Sequence, residues 1–319
     1  MADLLTLDDV AAARARIGGR ALRTPLVELA GEGLLLKAES LQPTGAFKLR
    51  GATSAIEALD ADARSRGVVS DSSGNHAQAV AFAARRAGVA ATIVMPDYAP
   101  AVKIGATRAH GAEIVLVGGA RSEQARAAAE LAAERGLVHI PPFDHPHVIA
   151  GQGTCGLEIA EDLPDVDLVL VPVSGGGLIS GVAVALAALA PGARVVGVEP
   201  EVVNDAQRSL RAGAVVANPP GAGLQTRADG LRVDHLGTLT WPHVQALVAD
   251  IVTVTEGEIL DAMRAVARRA RLVAEPSGAV SVAAWLHHRD ELGPARRAVA
   301  VVSGGNVDPT LFAEVVSAM

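Results

Sequence analysis

The sequence has one cysteine and no long hydrophobic run. Cys155 cannot form an intrachain disulfide, and a thiolate metal cluster is not expected. Its surroundings predict a small buried residue at a helix start rather than a catalytic thiol. Half of the residues are hydrophobic, but they are spread over many short segments, so we expect no membrane span. The first 20 residues have no apolar core of the signal-peptide type, and we interpret them as a surface helix of a cytoplasmic protein.

Aromatic residues and positive charge are also scarce. Aromatic residues make up 2% of the chain, and the formal net charge is −7. A protein that binds nucleic acid normally shows a basic face, with aromatic side chains if it takes single strands. Nucleic acids are therefore not expected as partners.

Lysine is rare compared with arginine. Of 28 basic residues only Lys37, Lys48 and Lys103 are lysines. Arginine cannot act as a deprotonated nucleophilic amine, whereas lysine can. Each lysine is therefore a candidate for a reactive amine. The alternative, for one or two of them, is that the lysine is present by chance and has no chemical role.

Short apolar runs alternate with segments of helical character along the whole chain. This alternation predicts parallel sheets covered by helices on both faces. Helices are expected at 76–88, 120–136 and 179–192. Strands are expected at 34–40, 67–73, 91–96, 112–118, 168–173, 195–200, 250–256 and 298–304.

The first segment with unusual residues is ESLQPTGAFKLRGA, at 39–52. A turn precedes Phe47, and Lys48 then opens a helix. The positive end of the helix dipole lowers the pKa of an amine there, and we expect the neighbouring Arg50 to act in the same direction. A neutral amine could form a Schiff base with an aldehyde. The alternative is an exposed lysine at a helix start.

The second segment, VVSDSSGNHAQAV at 68–80, is a strand followed by a polar loop and a helix. Hydroxyl and backbone N–H groups at such a helix start form an anion nest that suits a carboxylate. Ordinary capping needs only one such residue, so the excess favours a ligand. The residues concerned are Ser72, Ser73, Gly74, Asn75 and His76.

The third segment, LVLVPVSGGGLISG at 168–181, is a buried strand followed by three glycines and a helix. Glycines let the backbone close around a phosphate, which the helix N-terminus stabilises. A dinucleotide site, with Glu199 holding a ribose, is the main rival. However, Ser180 interrupts the spacing of the three glycines that such a site requires. A fourth segment, AVVSGGNVD at 300–308, delivers Ser303 and Asn306 at a strand end.

Taken together, these segments resemble the fold-type II enzymes that depend on pyridoxal 5′-phosphate (PLP), specifically the threonine/serine dehydratase and serine racemase group. The resemblance runs through most of the chain, including SSGNHAQAVAFAA, VIAGQGTCGLEI, VPVSGGGLISG, GVEPE, AEPSGA and VVSGGN. It implies an α/β fold similar to the β subunit of tryptophan synthase. That fold has two lobes, each a mainly parallel, open, twisted sheet with helices on both faces. We expect a large PLP-binding domain at 1–62 and 147–319, with a small domain at 63–146 inserted in it.

The resemblance also implies a role for each matching residue. Lys48 would carry PLP and act as the base at the substrate Cα, and Ser73 would be the acid or base on the opposite face. The remaining cofactor contacts would come from Phe47, Asn75, Gly175, Gly176, Gly177, Leu178, Glu275 and Ser303. The substrate carboxylate would be bound by Ser72, Ser73, Asn75 and His76.

A divalent cation is implied in the same way. Glu199, the carbonyl of Val203 and Asp205 match the spacing at which relatives bind a cation. Two carboxylates and a carbonyl are hard oxygen ligands, which suit Mg²⁺, Ca²⁺ or Mn²⁺. The alternative is a solvated acidic helix start.

The implied activity is dehydration and deamination of L-threonine or L-serine to a 2-oxo acid and ammonia. Serine racemisation, a dual racemase and dehydratase, and 3-hydroxyaspartate dehydration stay open, the last if Arg227 or Arg126 lines the site. An NAD-binding oxidoreductase and a non-catalytic amino-acid sensor are more remote alternatives. Ser174, Ala46 and Ala77 depart from the common pattern, which leaves the substrate range open. A homodimer is expected, and, because the chain ends soon after Asn306, no appended effector-binding domain.

Overall fold

The strands and helices alternate along the chain as the hydrophobic pattern predicts. A computed structural model describes residues 4–99, 101–118 and 121–318. The strands are β1 (Leu26–Leu29), β2 (Leu34–Ala38), β3 (Val68–Asp71), β4 (Ala91–Pro96), β5 (Glu113–Val117), β6 (Val138–His139), β7 (Leu168–Pro172), β8 (Arg194–Pro200), β9 (Asp250–Val254) and β10 (Ala298–Val302). The helices are α1 (Leu7–Ile17), α2 (Lys48–Glu57), α3 (Ala61–Arg66), α4 (Asn75–Ala87), α5 (Ala101–Ala109), α6 (Arg121–Arg135), α7 (Pro146–Asp162), α8 (Gly177–Leu189), α9 (Asp205–Ala212), α10 (Thr240–Leu247), α11 (Glu256–Ala265), α12 (Pro276–His287), α13 (Arg289–Leu292) and α14 (Pro309–Ser317).

The larger sheet has the strand order β1-β2-β10-β7-β8-β9. Strand β1 is antiparallel to β2, and the other neighbours are parallel. Side chains alternate between the two faces, as they must in a strand. Leu168 and Leu170 face the core under α11 and α12, whereas Val169 and Val171 face the core under α7 and α8. Both faces are therefore covered, which confirms the predicted layered α/β architecture.

The smaller sheet has the order β5-β4-β3-β6 and is parallel throughout. All of its strands come between β2 and β7 in the chain. Its hydrophobic core is separate and involves α2, α4 and β4. The small-domain boundaries at 63 and 146 stay a prediction, and these strands lie between them.

Two short strands, β1 and β6, were not predicted, because four and two residues are too few for a period-2 pattern to be recognised. Cys155 is buried as expected, but the prediction that it lies at a helix start is wrong. It lies in the middle of α7, which begins at Pro146, a residue type that favours the first helical turn. None of the helices within the described residues combines the length and the apolarity that a membrane crossing requires.

Glycines bring α7 into close contact with two other helices. A Cβ atom added to Gly151 would lie 2.7 Å from the Arg50 carbonyl oxygen on α2. One added to Gly153 would lie 2.9 Å from the Gly181 carbonyl oxygen on α8. Real Cβ atoms do not approach backbone atoms so closely, so larger residues would force the helices apart. These three helices therefore pack backbone against backbone.

Candidate active site

The three lysines lie in different surroundings. Lys37 is fully buried, and its Nζ donates to Glu158 Oε2 and to the Thr24 carbonyl oxygen, both at 2.6 Å. Lys103 forms an ion pair with Asp229 at 2.5 Å. Lys48 is the first residue of α2, as predicted, and its Nζ donates to the Pro142 carbonyl oxygen at 2.6 Å.

The contact with Pro142 brings Lys48 to the glycine loop, residues 175–177. The next residue, Phe143, stacks on this loop, and a Cβ atom on Gly175 would lie 2.5 Å from its ring. Lys48 Nζ also lies 5.1 Å from the centroid of the Phe47 ring. The lysine and the glycine loop, far apart in the sequence, are thus brought together by one bridging segment.

The side chain of Arg50 is turned into the protein. Its guanidinium is buried and donates to Glu39 Oε1 at 2.7 Å and to Glu158 Oε1 at 2.7 Å. Two carboxylates therefore balance its charge. The expected effect of Arg50 on the pKa of Lys48 stays a prediction.

Arg50, Lys37, Glu39 and Glu158 form a buried cluster with two cations and two carboxylates. Burial alone would raise the pKa of Glu39, but the charge and hydrogen bonds of Arg50 lower it below its ordinary value. Thr24 also donates to Glu39, at 2.5 Å. The cluster ties α2 to β2 and α7 immediately behind Lys48.

The predicted anion nest lies between β3 and α4. Residues 72–75 are partly exposed, and α4 begins at Asn75. Asn75 Nδ2 donates to Glu275 Oε1 at 2.6 Å, and Asn75 Oδ1 accepts from Asn306 Nδ2 at 2.8 Å. Asn75 therefore connects the smaller sheet to the ends of elements in the larger one.

His76 lies inside the protein rather than on the surface of the nest. Its side chain is buried, and Nε2 lies 2.9 Å from the Ile140 carbonyl oxygen. Burial, assisted by the charge of Lys48, lowers the pKa of His76 to about 3, so the ring is neutral. Within the nest, a positive charge from this ring is not available, and the backbone N–H of His76 is the group that suits a carboxylate.

The glycine loop follows β7 and leads into α8, which begins at Gly177, before the start predicted at 179. Gly176 has φ +90°, which other residues rarely adopt. Thr240 Oγ1 donates to the Gly175 carbonyl oxygen at 2.6 Å and holds the loop from outside. The first N–H groups of a helix have no acceptor within it, so the start of α8 can bind an anion.

Two neighbours of the loop use their side chains within the protein. Ser174, one of the departures noted in the sequence analysis, accepts from the Val233 N–H at 3.4 Å. Leu178 is buried in the core between α8 and the larger sheet. The extra hydroxyl therefore has a structural partner.

Ser303 and Glu275 lie at the carboxyl end of β10. Ser303 is buried, its carbonyl oxygen accepts from the Phe47 N–H at 3.0 Å, and its Oγ lies 3.4 Å from the Ser277 carbonyl oxygen. Glu275 is buried just before α12. Burial, followed by the nearby charge of Asp229, raises the pKa of Glu275 to about 7.

Asn306 had no assigned role in the sequence analysis, although SGGN was noted. It donates to the Thr44 carbonyl oxygen and to Asn75, each at 2.8 Å. Phe143, Asp144 and Thr240 were missed entirely. Asp144 accepts from the Leu239 N–H at 2.8 Å and orients α10 beside the glycine loop. These contacts are tertiary, so no local pattern reports them.

The predicted metal ligands lie close together and are buried. Glu199, near the end of β8, accepts from the N–H groups of Ala206 and Gln207 at 3.2 and 2.9 Å. Asp205 Oδ1 accepts from Asn218 at 2.6 Å, whereas Asp205 Oδ2 is buried and has no hydrogen-bond partner.

The electrostatics of this acidic pair favour a cation. Burial, then the charge of Asp205, raises the pKa of Glu199. Burial raises the pKa of Asp205 to about 7. No group of three or more His, Cys, Asp or Glu side chains within the described residues could hold a metal, so a third protein ligand would have to be a carbonyl such as that of Val203. The donor set and the orphaned Oδ2 fit a hard divalent cation.

Neither arginine suggested for a second carboxylate has a contact that assigns it to the site. Arg126 pairs with Glu123 and Glu130 of its own helix, α6. Arg227 is exposed, and its N–H donates to Glu256 Oε2 at 2.8 Å.

Comparison with known proteins decides the family. Residues 19–304 match the family described as pyridoxal-phosphate dependent enzyme. The chain belongs to this family. The match covers the glycine loop and decides against the dinucleotide alternative.

Similar proteins cover nearly the whole chain. L-threonine ammonia-lyase of Thermotoga maritima is 44% identical over 98% of this chain and 79% of its own length. L-threo-3-hydroxyaspartate ammonia-lyase of Saccharomyces cerevisiae is 41% identical over 98% of this chain and 96% of its own length. The structure of maize serine racemase superposes with a TM-score of 0.93, at 38% identity over 99% of this chain and 98% of that one. The fold is that of the fold-type II enzymes.

Proposed function

We propose that this protein is a PLP-dependent ammonia-lyase that converts L-threonine or L-serine to a 2-oxo acid and ammonia. The observation that carries the proposal is the position of Lys48. Its amine lies on the Pro142 carbonyl, one residue from the Phe143 ring that stacks on the glycine loop. A reactive amine and a phosphate-binding helix start are what the cofactor requires at its two ends.

The residues present fit the cofactor. Lys48 would hold its aldehyde carbon, and its phosphate would be held by the backbone of Gly175, Gly176, Gly177 and Leu178. Its ring, 3-oxygen and nitrogen would be contacted by Phe47, Asn75 and Ser303, with Glu275 nearby. When bound, PLP supplies an electron sink for negative charge at the substrate Cα.

The protein groups then bind the substrate and move protons. Ser72, Ser73, Asn75 and the backbone of His76 bind the substrate carboxylate at the start of α4. The Lys48 amine takes the Cα proton from one face, and the Ser73 hydroxyl lies on the other. The neutral hydroxyl of Ser303 places no cation beside the cofactor nitrogen, which favours loss of the β-hydroxyl over transamination.

A divalent cation is part of the proposal. Glu199, Asp205 and the carbonyl oxygen of Val203 bind Mg²⁺, Ca²⁺ or Mn²⁺. The buried acidic pair and the orphaned Asp205 Oδ2 support this, because two adjacent buried carboxylates that form no direct ion pair are costly.

Racemisation and hydroxyaspartate dehydration are the alternatives with specific support. Relatives named for these two activities are 38–41% identical, close to the value for the threonine ammonia-lyase. Removal of the Cα proton is common to all three reactions, and Ser73 supplies a donor on the opposite face. Two measurements distinguish the three activities. The first is the release of 2-oxo acid from L-serine, L-threonine, D-serine and 3-hydroxyaspartate, and the second is chiral chromatography of the remaining serine.

The organisation of the molecule is inferred from the family. We infer a homodimer, a cytoplasmic location, and a small domain at 63–146 inserted in the rest. The molar mass measured by light scattering after size-exclusion chromatography tests the dimer. A monomer at assay concentration would contradict it.

Replacement of the proposed catalytic lysine tests the function most directly. We expect Lys48→Ala to lose the visible absorbance of the bound cofactor and to reduce turnover by about a thousandfold, within the range of a positioned acid–base group. Borohydride treatment of the unmodified protein should leave a cofactor adduct at residue 48. Arg135→Lys, an exposed residue at which the charge is kept, is the control and should keep both signals. Turnover retained by Lys48→Ala would refute the proposal.

A further inference from the structure

The ion pair between Lys103 and Asp229 joins elements of the two sheets, and "the cleft" here means the space between the sheets in which the proposed substrate site at residues 72–76 lies. Lys103 lies on α5, which connects β4 to β5 in the smaller sheet. Asp229 begins a short 3₁₀ turn, Asp229–Leu231, in the segment between β8 and β9 of the larger sheet. Lys103 Nζ and Asp229 Oδ2 are 2.5 Å apart.

The turn that carries Asp229 is anchored beside the active site. The Gly230 N–H donates to Ser277 Oγ at 2.9 Å, and Ser277 lies in the first turn of α12. Leu231 is buried in the core of the larger sheet. The charges of Asp229 and Lys103 also act on the pKa of Glu275, the former raising it and the latter lowering it. The ion pair is therefore near the residues proposed to hold the cofactor.

This pair is more exposed than two of the other contacts between the part of the chain that carries the smaller sheet and the part that carries the larger one. Asn75 contacts Glu275, which is buried, and Lys48 contacts the Pro142 carbonyl in a partly buried position. The side chains of Lys103 and Asp229 are 30% and 40% exposed. The pair is therefore more accessible to solvent than these two contacts.

The residue type supports a contact that opens and closes. Arginine forms other exposed ion pairs of this chain, including those of Arg126 and Arg135. An arginine and a carboxylate form a planar, two-point contact, whereas a lysine ammonium forms a single-point contact that reorients freely. A partly exposed lysine pair has little net energy, so it can break in each catalytic cycle.

We propose that Lys103 and Asp229 form a clasp that holds the cleft closed over bound substrate. Both are positioning residues and act through the distance between the two sheets rather than by contact with the reacting atoms. The expected kinetic effects rest on the proposed ammonia-lyase function, whereas the clasp itself does not. Without the clasp, part of the substrate binding energy is used to close the cleft, so KM rises more than kcat falls.

The test is a charge reversal with a matched control pair. We expect Lys103→Met and Asp229→Asn each to raise KM about two- to fivefold, as expected for a partly exposed ion pair. The double variant K103D/D229K should recover most of the loss. Arg135 and Glu113, 2.9 Å apart with both partners in the smaller-sheet layer, are the control. Reversal of this pair, R135E/E113R, should leave KM unchanged.

Hydrogen exchange gives a readout that does not depend on activity. Amides of residues 101–109 should exchange faster in Lys103→Met than in the unmodified protein, and K103D/D229K should restore slow exchange. Unchanged amide exchange and unchanged KM in both single variants would overturn the clasp. The clasp would also be overturned if K103D/D229K exchanged as fast as the single variants. If the unmodified protein neither binds PLP nor releases a 2-oxo acid, the proposed function fails, and exchange still decides on the clasp.

Discussion

Buried carboxylates occur in two kinds of surroundings in this molecule. Glu39 and Glu158 are matched by Arg50 and Lys37, so their cluster contains equal numbers of positive and negative groups. Glu199 and Asp205 are buried next to each other without a comparable cation. The pKa of Glu39 is lowered, whereas those of Glu199 and Asp205 are raised.

This difference in charge balance distinguishes carboxylates that stabilise the fold from carboxylates that are available to bind a ligand. A balanced cluster is complete within the chain, and its loss would damage packing behind Lys48. An unbalanced buried pair is stable only with a bound proton or a bound cation, because an ionised carboxylate without a partner is expensive to bury. Glu275 belongs to the second kind, with its pKa raised to about 7.

The largest effect is expected when the balanced cluster loses a cation. Arg50→Met leaves two buried carboxylates with too little positive charge, so the free energy of unfolding should fall by about 3–5 kcal/mol. Urea unfolding measures the change. Arg14→Met, which removes an exposed pair with Glu161, is the control and should cost about 1 kcal/mol or less. Equal losses in the two variants would remove the distinction between the two kinds of carboxylate.

A smaller effect is expected when a cation is added to the unbalanced pair. Mg²⁺ or Ca²⁺ at a hundred times its Kd should raise the free energy of unfolding by about 2.7 kcal/mol. Asp205→Asn should abolish the gain, whereas the exposed Glu201→Gln should keep it. A gain that persists in Asp205→Asn would place the cation elsewhere.

The effect that is smallest per pH unit, because it is spread over a wide pH range, is expected from the titration of Glu275. Since its pKa rises from the ordinary 4.5 to about 7 on folding, the folded state keeps a proton that the unfolded state loses. The resulting stability is full below pH 4.5 and is lost as the pH rises through about 7.

Replacement of Glu275 tests whether the free energy of unfolding falls or rises with pH because of this carboxyl. The free energy of unfolding of the cofactor-free protein should fall with pH more steeply than that of Glu275→Gln, by at most about 1.4 kcal/mol per pH unit. The exposed Glu314→Gln is the control. Identical slopes for the unmodified protein and Glu275→Gln would show that this carboxyl titrates normally.

Local patterns were sufficient for the longer strands, for the start of α2 at Lys48 and for a helix after the glycine loop, because each is encoded by adjacent residues. The tertiary contacts of those elements could not be predicted from the sequence. Arg50 was assigned to Lys48 by proximity in sequence, yet the helix turns its side chain towards Glu39 and Glu158. Phe143 and Thr240 touch the glycine loop from distant segments, and such contacts have no local signal.

The glycines of α7 limit how the proposed catalytic amine can move. Since Gly151 sits against the Arg50 carbonyl, the backbone that carries Lys48 cannot slide along α7 without a clash. If the Lys48 amine first holds the cofactor and then carries a proton, it must therefore move between the two positions by rotation about its own side-chain bonds. The distance that it can cover is limited by the length of one lysine side chain on a fixed backbone.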